Sequence, residues 1–188
     1  MSNPPDAIHK INRFWLDEIG EKGWYKQSVE VDEACKARFL TNWNMAMAGG
    51  HRDWLTSGEG ALALLILLDQ FSRNMFRGTA QAFAADRLAL RSAKTAIALD
   101  VDQQIPEPAR QFFFLPFMHS EILAEQERCM RLFLLRAPED AGDNRRHAAL
   151  HREVIRRFGR FPSRNAVLGR TDSEAERAYR AEGGYMSG

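Results

Sequence analysis

"ALALLILLDQFSRN", residues 61–74, decides the fold. Ala61 to Leu68 is apolar on every side, with Ser57 ahead of it as an N-cap residue type. A helix that is apolar all round belongs inside a domain, packed by other helices. The run, Leu64 to Leu68 above all, then stops on Asp69-Gln70, with Arg73-Asn74 and Arg77-Gly78 close behind. A carboxylate at the end of a buried helix must be paired or hydrogen-bonded. Arg73, four residues on, is in reach for that, and so is an arginine of the "FGRFPSRN" stretch, 158–165. "DQFSRN" therefore reads as a hinge between core and polar site: Asp69 holds a cation, Asn74 ends the helix, and Arg77 points into a cleft.

The flanking sequence carries helical spacing throughout. Ile8, Ile11, Trp15 and Ile19 form a stripe between Pro4-Pro5 and Gly20; Val31, Cys35, Phe39, Trp43 and Met47 form another, stopped by Gly49-Gly50. A fourth helix starts near Thr79 and carries Phe83, Leu90 and Ile97. The region Pro108–Arg136 contains Pro116, which predicts a kink or a meeting of two helices there. A further helix runs from about Asp143 to Phe158 and closes at Gly159. Residues 160–170 are irregular, and Thr171-x-x-Glu174 reads as a capping box opening a short helix that ends at Gly183-Gly184. No stretch alternates in the manner of a strand, and no hairpin turn signal occurs. The expectation is a single all-α domain over 1–188, without β-sheet, of six or seven helices.

At 188 residues the chain has length for one good core; 26 basic against 25 acidic residues leave a net charge of +1. That balance removes the whole-chain case for nucleic acid or an anionic membrane, although arginines concentrate in the second half. Two cysteines, Cys35 and Cys129, read as buried thiols rather than a disulfide framework. The N-terminus has no signal pattern and no apolar run is long enough to span a bilayer, so a cytoplasmic location is expected. Phosphate-loop, dinucleotide-binding and nucleophile-elbow motifs are absent.

Three polar positions sit on apolar stripes: Asp69, His119 and His151, expected to face one interior cleft. His119 begins a stripe continued by Ile122, Leu123, Gln126, Cys129 and Phe133, and Glu121 stands beside it. A neutral imidazole at the Pro116 break is a candidate general base. His147 and His151 are four apart, but this lacks a third ligand, so neither metal nor cofactor is expected. Arg73, Asn74 and Arg77, with Arg160, Arg164 and Asn165, offer planar forks and amide donors suited to carboxylate or phosphate. "FSRNMFRGT" and "FPSRNAVLGRT" place the same residue types at two helix corners.

Three stretches, "LLILLDQFSRNMFRGTAQAFAADRLAL", "FFFLPFMHSEILAEQ" and "HREVIRRFGRFPSRNAVLGR", resemble a family of mainly bacterial proteins catalogued as the domain of unknown function number nine hundred and twenty-four. "FWLDEIG" and "RFLTNW" fit as well, so the likeness covers nearly the whole chain. It implies an all-helical, tetratricopeptide-like fold and no established activity, and this sequence has no regular repeat of that kind. Matching the family pattern are Asp69, Gln70, Arg73, Asn74 and Arg77, then His119, Glu121 and Gln126, then His151, Arg160, Arg164 and Asn165. The sequence departs from the pattern at His147, where an aromatic is usual, at Ser163, where a histidine is usual, and at Asp100, where a glycine is usual.

Two functional readings share this inventory. In the first, Arg73, Asn74, Arg77, His151, Arg160, Arg164 and Asn165 line a cleft that binds an anionic small molecule or an acidic peptide end. In the second, an enzyme of hydrolase type uses His119 as base, with Glu121 or Asp69 orienting it. A scaffold is the third alternative. Geometry separates them: a base needs open space beside it and a carboxylate in reach.

Overall fold

The computed structural model describes residues 4–139 and 143–185. Among them there is no β-strand. The apolar run forms α3 (Gly58–Leu65), and Ser57 caps it by accepting from the Gly60 amide. The chain does not leave the helix at Leu68. It widens into a π-type turn, Ile66–Gln70, and continues as α4 (Phe71–Met75). Every residue from Ala61 to Gln70 is buried. Each large apolar side chain in this rod contributes roughly 1.5–3 kcal/mol on burial.

Amphipathic helices wrap the rod. α1 (Pro4–Arg13) passes into a π-type turn, Phe14–Ile19, that ends at Gly20 with φ 64°. α2 (Val29–Met47) begins at Ser28, whose hydroxyl accepts from the Val31 amide. Phe71 ties these pieces together: its ring meets Trp15 edge-on at 5.5 Å and stacks on Phe39 at 4.9 Å. Trp43 Nε1 donates to Ser72 Oγ at 2.7 Å, and that hydroxyl donates to Leu68 O at 2.6 Å. The region expected to be one helix from Thr79 divides into a 3-10 turn at Ala80–Phe83 and α5 (Asp86–Ala98). The alanines Ala89, Ala93 and Ala96 are buried, so this helix lies close against the rod. Asp100 has φ 53°, a left-handed conformation that glycine takes without strain.

The third part of the chain decides one expectation and corrects two. Pro116 makes no kink; two helical pieces meet there, the 3-10 turn Ala109–Phe113 ending just before it. Pro116 sits in the first turn of α6 (Leu115–Met118), where its missing N–H costs nothing. The break comes after it, at His119–Ile122, before α7 (Leu123–Arg136). Ile122 and Leu123 are therefore exposed, at 56% and 40%, and do not continue a core stripe from His119. α8 (Asp143–Phe158) has the expected bounds and packs along α7, with Gly159 at φ 68° behind it. Finally, the capping box is Ser173 with Glu176, not Thr171 with Glu174, and opens α9 (Glu174–Ala181). Val154, Ile155 and Phe161 form a small second core under α9.

Candidate functional site

The π-type turn is the local feature that makes the site. By widening the helix over Ile66–Gln70 it turns Asp69 towards the corner after α6. Asp69 Oδ1 lies 2.7 Å from His119 Nδ1, across 50 positions of sequence. Asp69 is 2% exposed and the His119 side chain 20%. Gln70 Nε2 donates to the second carboxylate oxygen at 2.5 Å. Burial alone would raise the Asp69 carboxyl, but the charge and hydrogen bond of His119, helped by Arg73 and Gln70, outweigh it and hold the group below its usual range. The ionised carboxylate fixes the proton of His119 on Nδ1.

The corner that carries His119 is itself clamped. Gln126 Nε2 donates to Met118 O and to Ser120 O, each at 2.6 Å. Arg164 Nη2 donates to His119 O at 3.0 Å. Arg164 is buried between the rings of Phe83 and Phe161, 4.6 Å from each centroid. Burial, and the charge of Arg73 next to it, push its guanidinium down to about 10.

His119 opens on a pocket of about 750 Å³. Trp24, Phe83, Leu115 and Met118 supply apolar wall; Gln70, Arg73, Arg77, Arg164, His147, His151 and Tyr185 supply polar wall. The ring of His151 is 6.3 Å from that of His119, centroid to centroid. His119 and His151, from the corner and α8, face one pocket; Asp69, expected to face it too, does not line it and lies behind His119 on the rod. Burial chiefly, with the charge of His119 added, pushes His151 down to about 3. Across the opening, Tyr25 is joined to Gln111, which also accepts from Asn144 at 3.0 Å.

The remaining sequence candidates separate from this centre. Glu121 does not orient His119: it accepts from Arg170 at 2.8 and 3.0 Å and from the Phe161 amide at 2.8 Å, which ties down the 161–170 loop. Arg160 is taken by Glu176 at 2.6 and 2.7 Å, and Asn165 by Asp172 at 2.7 Å; neither lines the pocket. Asn74 donates to Asp32 at 2.8 Å instead of ending the helix with its side chain. Arg77 reaches the pocket wall, but its fork is closed on the same Asp32 at 2.6 and 2.8 Å. Asp69 does not hold a close arginine. Arg73 is 4.0 Å from it and 2.7 Å from Asp86, which also takes Arg164 at 2.9 Å. Sequence reading missed Asp86, Tyr25, Gln111, Asn144 and Tyr185. Gln70 was marked in the sequence only as the polar neighbour of Asp69 at the end of an apolar run, without a role.

Among the described residues no group of three or more His, Cys, Asp or Glu side chains is placed to hold a metal ion. Both cysteines are free and buried, and burial pushes the Cys35 thiol up to about 12. No helix among the described residues is long and apolar enough to cross a membrane.

Comparison with curated proteins gives no match. A solved structure of a protein of unknown function from Agrobacterium tumefaciens superposes with a TM-score of 0.90 at 38% sequence identity, over 96% of this chain and 99% of that one. The family model described as a bacterial protein of unknown function (DUF924) matches residues 11–184, a span that holds Asp69, His119, His151 and the whole second core. The chain belongs to this bacterial family.

Proposed function

We propose that the pocket is the active site of an enzyme acting on a small anionic molecule, with His119 as general acid–base and Asp69 as the carboxylate that orients it. The observation carrying this reading is the 2.7 Å contact between Asp69 Oδ1 and His119 Nδ1 at the wall of a pocket. A buried carboxylate behind the histidine orients the imidazole and stabilises its protonated form, which is what a general acid–base needs. With its Nδ1–H donating to Asp69, the neutral imidazole offers the Nε2 lone pair to a water or a substrate hydroxyl. When Nε2 takes the proton, the adjacent carboxylate stabilises the imidazolium, and the low dielectric strengthens that attraction. Gln70 holds the other oxygen of that carboxylate. Arg73, 4.0 Å from Asp69, and Arg164 are cations of the wall beside this pair, and the apolar wall of Trp24, Phe83, Leu115 and Met118 suits the body of an organic substrate.

The test incubates the protein and its His119→Ala variant with a bacterial small-molecule extract and follows every component by mass spectrometry. We expect a component consumed by the wild type and spared by the variant. Identical profiles for the two proteins would remove the acid–base role and return the pocket to binding alone.

A further inference from the structure

His151 is the pocket's second imidazole, and its hydrogen bonds fix its tautomer. Its Nδ1 lies 2.8 Å from the carbonyl oxygen of His147, one turn back on α8. A carbonyl only accepts, so the proton is on Nδ1. The Tyr185 hydroxyl agrees with this. It lies 2.7 Å from His147 Nδ1, and its oxygen faces His151 Nδ1 at 3.3 Å, where it can accept the Nδ1 proton. The Nε2 atom of His151 is therefore a lone-pair acceptor. No hydrogen bond from the described residues engages Nε2 of either His151 or His119. Neither atom is sealed in protein, and both side chains line the pocket. Burial favours the uncharged form of His151, so this acceptor does not turn into a donor near neutrality.

An acceptor open to a pocket takes its donor from water or from a ligand, and a ligand that lacks an O–H leaves it unpaired. The arginines of the wall only donate, and the Gln111 amide oxygen is already taken by Tyr25 and Asn144; a fixed imidazole lone pair accepts, and so favours a ligand that brings an O–H. We propose that His151 Nε2 accepts a hydrogen bond from a hydroxyl of the substrate, so that the pocket selects small organic anions that carry a hydroxyl beside the His119 imidazole. This rests on the reading of the pocket as a site for a small anion. It adds a specificity-determining residue and a substrate class: a hydroxylated carboxylate or phosphate ester, the anionic group towards Arg73 and the hydroxyl between the two imidazoles.

The test uses matched probes that differ by hydroxyl groups alone: glycerate against propionate, and glycerol 3-phosphate against propyl phosphate. Calorimetric titration of the whole protein measures each. We expect the hydroxylated member of one pair to bind at least about 10-fold tighter than its partner, and the pair that shows it to tell a carboxylate site from a phosphate site. In His151→Phe, which fills the same buried space without the acceptor, that preference should vanish while the weaker partner binds as before. Nitrogen-15 NMR of labelled histidine gives a second readout in the unmutated protein: the His151 Nε2 resonance should move with the hydroxylated probe and stay with its partner. Equal affinities within both pairs, no binding by any probe, or a preference that survives His151→Phe would overturn the inference. Because these readouts record binding and the extract experiment records turnover that depends on His119, either can fail alone.

Discussion

Arg164 and Asp86 stand 78 positions apart in the chain and meet at 2.9 Å between Nη1 and Oδ2. The other oxygen of Asp86 takes Arg73 at 2.7 Å. One carboxylate at the start of α5 therefore joins the rod, the 3-10 turn under Phe83 and the C-terminal loop, and it holds the backbone of His119 in place through Arg164. Asp86→Asn should leave two largely buried guanidinium groups without their counter-charge and cost about 3 kcal/mol of stability. Urea unfolding checks this; a midpoint equal to that of the wild type would mean that the pairs are solvent-screened and carry little.

Gln126 is the matching clamp from α7. Gln126→Leu removes the donor from two carbonyls of the His119 corner, and we expect a loss of about 1–2 kcal/mol. The loss is moderated because the Gln126 amide oxygen, itself buried without a partner, goes with it. Amide exchange at residues 119–121 should accelerate in the variant. Unchanged exchange there would show that the corner is held by α6 and Arg164 alone.

The acid side of the stability curve should carry the signature of His151. In the unfolded chain its imidazole takes a proton near 6.5; in the folded protein it does so near about 3. Between those values the unfolded state binds one proton more, so stability rises with pH across the window. The contribution is complete above 6.5 and is lost as the pH falls towards 3, at up to about 1.4 kcal/mol per pH unit. Asp69 acts lower. Its carboxyl is held below 3.8, so its contribution is present above that value and fades beneath it. Unfolding of the wild type and of His151→Phe at about pH 7 and about pH 5 separates the two: the difference between the proteins should shrink at the lower pH, and a constant difference would contradict a buried neutral imidazole.

Glu121 distinguishes sequence neighbourhood from spatial neighbourhood. Glu121→Gln should loosen the 161–170 loop by weakening the hold on Arg170. It should lower turnover by far less than the roughly 100-fold that loss of an acid–base partner costs. A loss of that size would bring Glu121 back into the chemistry.

The architecture was legible where burial alone decides it. An all-round apolar run has to be central, and α8 shows its ends through Asp143 and Gly159. The site was legible as a list and not as a geometry. Asp69, His119 and His151 stand out because each is polar on an apolar face; the two imidazoles face one pocket, with Asp69 behind His119. Their partners could not be read, because Glu121 is nearest to His119 in sequence while Asp69 reaches it only through a π-type turn that leaves no periodic trace. Two overlapping Ser/Thr-x-x-Glu matches begin at 171 and 173, and the choice fell to Ser173 because Glu176 is also held by Arg160. Arg160 and Asn165 looked like ligand donors for the same reason that they serve as loop clasps: a planar fork or an amide suits a protein carboxylate as well as a foreign one.

The central claim is that the pair of Asp69 and His119 moves a proton in this pocket. Its most direct measurement is the rate at which Asp69→Asn and His119→Ala consume the component found with the wild type, on variants whose melting shows them folded. We expect His119→Ala to lose roughly 100-fold or more and Asp69→Asn to lose comparably, since an amide at that place no longer fixes the imidazole proton on Nδ1. Wild-type rates in His119→Ala would contradict the claim outright.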